Sequence, residues 1–68
     1  MTNWQKIFSN ELLYRAEIVK AVLEDNNIEA VILNKKDTSY HWGTHEVMVA
    51  QDDILKAIKI IKEEINFG

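Results

Sequence analysis

The chain contains no cysteine, no proline and only two glycines in its 68 residues. The missing cysteines exclude disulfides, thiolate zinc sites and thiol nucleophiles together. They fit a reducing compartment. Without proline and with little glycine, turns have to be made by Asn, Asp and Ser. Basic residues are not in excess either: eight Lys and Arg face eleven Asp and Glu, a net charge of -3. That balance, with no long basic run, argues against nucleic acid as a partner. No apolar run approaches the roughly 20 residues a membrane-spanning helix needs, so no membrane partner is expected. The segment Met1-Thr2-Asn3-Trp4-Gln5-Lys6 lacks the basic-then-apolar order of an export signal, and a cytoplasmic location is expected.

What is present is ordinary globular composition, 47% hydrophobic and 28% charged, in a length that allows one domain over residues 1–68. A chain this short buries only about 60% of the surface its unfolded form exposes. Domains of this size commonly lean on disulfides, a metal or a second subunit. With the first gone and the second poorly provided for, self-association is the expected support.

The hydrophobic pattern predicts five elements. Trp4 to Phe8 alternates bulky and polar residues and reads as a strand. Ser9 and Asn10 are good helix caps, Glu11 suits a first turn, and Glu11 and Arg15 stand four apart. Leu12, Ala16, Val19 and Leu23 recur at helical spacing, with Leu13, Ile18, Ala21 and Val22 widening the apolar face. This helix should run to about Asp25 and stop at Asn26-Asn27, since Asn tolerates the left-handed conformation of a helix end. Ile28 to Leu33 is nearly continuous apolar, the mark of a strand buried on both faces. Asn34 to Thr44 is polar and loop-like, and His45 to Ala50 alternates again as a strand. Gln51-Asp52-Asp53 opens a second helix with Ile54, Ala57, Ile58, Ile61 and Ile65 as its buried stripe. The fold class is therefore α+β with the order β-α-β-β-α. It is a ferredoxin-like sandwich lacking the last strand, a three-stranded sheet with two helices on one face. The strand–helix–strand unit should close right-handed, and the last two strands should form a hairpin.

Trp4-Gln5-Lys6-Ile7-Phe8-Ser9, Asn10, Leu13, Ala16-Glu17-Ile18, Leu23-Glu24, Ile28-Glu29-Ala30 and Asn34-Lys35-Lys36-Asp37 together resemble a short bacterial family. It is the family described as "putative prokaryotic signal transducing protein", a domain of unknown function. The resemblance runs from about Trp4 to Ile61 and implies a ferredoxin-like or nitrogen-regulator-like α+β fold and a role in signalling. It carries over no catalytic residue. Asn27 stands where such sequences often have Gly, and Ala50-Gln51 where a Pro often begins the last helix. Some relatives carry a Cys-rich zinc tail, which this chain lacks.

The candidate functional residues fall in three places. The stretch from Lys35 to Thr44 is long for a hairpin link and holds Asp37, Tyr40, His41 and Trp42. It reads either as a recognition loop or as an extension of the third strand with Gly43 as a bulge. His41 and His45, four residues apart, are weak metal candidates, because on a strand they stand too far apart for joint ligation and no clear third ligand accompanies them. Trp4 and Phe8 face the open side of the sheet if Ile7 faces the helices, and a large apolar patch there marks an interface. Glu17 could contact a partner, although such a residue is more often the solvated edge of a helix. The lysines Lys56, Lys59 and Lys62 need no more than a wet helix face.

No phosphate loop, catalytic triad order or nucleophile elbow appears, and a three-stranded domain has little room for a pocket. No enzyme activity and no cofactor are expected. The expectation is a small regulatory or binding module, a homodimer, recognising a protein or small ligand through the open sheet face and the 35–44 loop. The alternative is a ligand- or metal-responsive sensor using Asp37, His41 and His45.

Overall fold

The computed structural model describes residues 3–37 and 42–65. Strand β1 (Trp4–Asn10) leads through helix α1 (Leu13–Asp25) to β2 (Ala30–Asp37). A hairpin then brings in β3 (Trp42–Ala50), and a 3-10 turn (Gln51–Asp53) precedes α2 (Ile54–Glu64). The β-α-β-β-α order read from the sequence is the order of the fold. The sheet runs β1-β3-β2, with β3 antiparallel to both neighbours. β1 and β2 are thus parallel to each other, with α1 carrying the chain across β3. This is the split β-α-β arrangement of ferredoxin-like domains.

Both helices cover one side of the sheet. Val47 and Val49, in the central strand, are fully buried there, with Ala30 beside them. Ala16, Val19 and Leu23 come down from α1, Ala57 and Ile60 from α2, and Ile28 from the connection into β2. The molecule is 15 Å thick against 35 and 34 Å in the other directions, two layers and no more. No polar or charged residue among those described is buried.

The end of α1 shows how local chemistry sets the fold. Asn27 takes φ 64°. The Ile28 N–H then donates to the Leu23 carbonyl at 2.9 Å and the Asn27 N–H to the Glu24 carbonyl at 3.0 Å. Those two bonds form a Schellman motif, and its usual hydrophobic contact is supplied by Ile28 and Leu23, both buried. The Asn26 side chain donates to the Val22 carbonyl at 2.8 Å and to Glu64 Oε2 at 3.2 Å, which ties the C-terminal ends of the two helices together. Glycine removes the steric penalty that any side chain meets at this backbone angle. Asn27→Gly should therefore raise stability by about 0.5–1 kcal/mol, and Asn27→Val should lower it by more than that. Thermal melts of the two variants check the sign at each.

Several local expectations are corrected. β1 runs on to Asn10, and α1 starts at Leu13, so Glu11 lies outside the first helical turn. Asn10 still works as a capping group: its Oδ1 accepts the Leu12 N–H at 2.9 Å. β2 is buried on one face only, because Leu33 is 43% exposed. Asn34 to Asp37, read as loop, pair with Trp42 to His45 as strand. Polar composition does not prevent this, because a ladder is built from backbone groups. Gly43 pairs with Lys36 with no break in register, and the bulge of the sheet lies in β1 between Lys6 and Phe8. In α2 the deepest positions are Ala57 and Ile60, while Ile58 is turned outward at 37% exposure.

Candidate interaction surface

The bulge in β1 decides which side chains reach the uncovered face of the sheet. Trp4 pairs with Ala50 and Lys6 with Met48, but after the extra residue Phe8 pairs with Val47 and Ser9 with Glu46. Val47 faces the helices, and cross-strand partners share a face. Phe8 therefore turns toward the core, and Ile7 and Phe8 both pack against it. Trp4 and Phe8 do not share the open face. Simple alternation fails because the bulge adds one residue and inverts the facing of every side chain beyond it in the strand.

The uncovered face is built on the even-numbered residues of β3. Glu46, Met48 and Ala50 lie along its middle, Trp4, Lys6 and Ser9 flank them on β1, and Val31 and Leu33 flank them on β2. Trp4 is 38% and Leu33 43% exposed, and Val31 and Met48 are half-buried by their neighbours alone. Lys6 Nζ lies 3.7 Å from Glu46 Oε2, with the lysine side chain 55% exposed and the glutamate 15%. With its lysine still more than half in water, a pair of this kind is worth about 0–1 kcal/mol. It leaves one positive and one negative group side by side in an otherwise apolar surface.

The remaining site candidates do not converge. Glu17 is exposed on α1. Asp37 ends β2 and pairs in backbone register with Trp42, the first residue of β3. Tyr40 and His41 lie outside the described residues. His45 is half-buried, pairs with Asn10 and Asn34, and shares the helix-facing side with Val47. Three residues of strand, roughly 10 Å, separate it from the rung of Asp37 and Trp42. Among the described residues no group of three or more His, Cys, Asp and Glu is placed to hold a metal. Residues 35–37 and 42–44 of the expected recognition loop are paired strand, and residues 38–41 lie outside the described residues.

Val31, Leu33, Glu46 and Met48 belong to the surface and were missed by sequence reasoning. A signal was there for two of them, since Glu46 and Met48 alternate with the buried Val47 and Val49. The run Ile28–Leu33 concealed Val31 and Leu33, being apolar at every position but Glu29. A second apolar set lies on the helix layer. Leu13, Tyr14 and Ile18 are exposed on α1, with the Arg15 guanidinium 6.0 Å from the Tyr14 ring centroid, and Leu55 on α2 is 83% exposed.

Two helices on one side of a three-stranded sheet, with the other side uncovered by any described residue, define a small two-layer α+β module of the split β-α-β class. No helix among the described residues is long and apolar enough to cross a membrane. The chain belongs to the family described as "putative prokaryotic signal transducing protein", whose profile matches residues 4–65. Neither the curated proteins nor the solved structures give a match.

Proposed function

We propose that this domain is a non-catalytic regulatory module that acts by binding through the open face of its sheet, and that it does so as a homodimer in the cytoplasm. The observation that carries this reading is the open face itself: Trp4, Val31, Leu33 and Met48 form an apolar surface with no second layer over it among the described residues. Contiguous apolar surface of this kind on a small domain marks an interaction site. The size of the domain supports the same reading, because a one-layer core with nine buried members among the described residues gains from a partner that extends it. Membership of a signal-transducing family fits a module whose output is a change of partner. The second exposed set, Leu13, Tyr14 and Ile18 beside Glu17, leaves a surface for a protein or small ligand when the sheet face is occupied.

The test is mass by light scattering over a dilution series. The expected result is a dimer at hundreds of micromolar that dissociates on dilution into the low micromolar range. A mass of 7.9 kDa at every concentration up to millimolar removes the dimer from the proposal.

A further inference from the structure

The open face carries one cation and one anion as neighbours, and that arrangement is complementary to itself. A two-fold axis lying in the interface, parallel to the sheet and crossing the Lys6–Glu46 line at its midpoint, places Lys6 of each copy over Glu46 of the other. Resting on the homodimer reading above, we infer that the occupant of this face is a second copy of the chain, packed sheet against sheet, with Lys6 and Glu46 exchanging partners across the two-fold to fix its register.

Three features of the face support that occupant over an unrelated partner. The first is charge. Glu46 sits at the middle of β3, the central strand, with its side chain largely covered, whereas Lys6 is more than half exposed and able to lean across. A partner bearing only one sign of charge would set a like charge against one of the two groups, which is costly. A second copy matches both. The second is composition. Trp4, Val31, Leu33 and Met48 surround the pair, so the apolar groups supply the attraction and the charges select the alignment. The third is extent. Three strands about 4.8 Å apart and roughly eight residues long at about 3.3 Å per residue present roughly 400 Å² per copy. Two such faces bury roughly 800 Å², below standard-size interfaces and in the range of weak, transient ones. A contact of that size fits a weak, reversible dimer, which suits a switchable module.

The experiment uses two charge reversals, Lys6→Glu and Glu46→Lys, in the full chain. Each variant alone should self-associate at least tenfold more weakly than wild type, since the two-fold brings four like charges together. An equimolar mixture of the two should associate nearly as tightly as wild type, because one copy then offers two carboxylates and the other two ammonium groups. Sedimentation of the singles and of the mixture reads this directly. Circular dichroism establishes that each single is folded. If either reversal fails to fold, the neutral pair Lys6→Gln and Glu46→Gln replaces it, each expected to weaken the dimer several-fold. Singles that dimerise like wild type, or a mixture no tighter than the singles, overturn the crossed pairing while leaving a wild-type dimer standing. A wild type that never dimerises instead defeats the underlying reading, so the two failures are distinguishable.

Discussion

Leu23→Ala should remove most of the stability of this domain. Leu23 is fully buried and occupies the third position from the end of α1, where its carbonyl accepts the Ile28 N–H at 2.9 Å and its side chain meets Ile28. Truncating a leucine in such a place costs about 2–5 kcal/mol, the transfer free energy of the lost atoms together with a cavity contribution. A single core of this size rarely supplies more than about 3–5 kcal/mol in total. The cavity would open between α1 and the strand entry, and neither can collapse into it. The helix end is fixed by the αL residue Asn27, and Ala30 begins paired strand two residues after Ile28. Urea unfolding at one fixed protein concentration should show the midpoint reduced by more than half with the slope nearly unchanged. Fixing the concentration matters because a dimer adds stability by mass action. A shift equivalent to less than about 1 kcal/mol would show that the site relaxes around the deletion.

The overall order of elements was legible because helix and strand leave different hydrophobic periods, and α1 and β3 each keep theirs. Val47 and Val49 alternate with Glu46 and Met48, and Ala16, Val19 and Leu23 hold one stripe. The phase of α2 was less legible because it is apolar on adjacent positions. Ile60 and Ile61 can each continue a stripe from Ala57, and packing against the sheet selected Ile60. The extent of β2 was hidden for another reason. Asn34, Lys35, Lys36 and Asp37 have the composition of a loop, yet each pairs with β3 through backbone groups common to all these residues. The bulge at Ile7 had no sequence signal beyond two adjacent apolar residues, Ile7 and Phe8. That single extra residue moved Phe8 from the expected surface into the core's margin. Of the candidate surface, Trp4 was found. Met48 was readable from its alternation with Val47 and Val49, whereas Val31 and Leu33 were not, because in a nearly continuous apolar run only the pairing with β3 decides which side chains reach the open face.

Leu33→Lys should abolish self-association while leaving the domain folded. Leu33 is 43% exposed and pairs across the sheet with Glu46. In the separate chain a lysine there keeps its ammonium in water, extends its stem over the strand, and gains an acidic neighbour opposite. Its effect on the monomer should stay within about 0.5 kcal/mol, as for other surface substitutions. Lysine is chosen over aspartate because a second carboxylate beside Glu46 would destabilise the sheet itself. In the dimer the same ammonium is carried under a second sheet, and it competes with Lys6 for Glu46. Covering an unmatched charge costs several kcal/mol, equivalent to at least about a hundredfold in Kd. The comparison variant is Leu55→Lys, which removes the most exposed large apolar side chain from the helix layer, at 83% exposure. It deletes more exposed apolar surface than Leu33→Lys does and adds the same charge, but on the far side of the molecule. Dilution series of both variants separate the possibilities. If Leu33→Lys is monomeric and Leu55→Lys dimerises as wild type does, the bare sheet face is the contact. If the effects are reversed, the helix layer is the contact and the sheet face is ordinary hydrated surface.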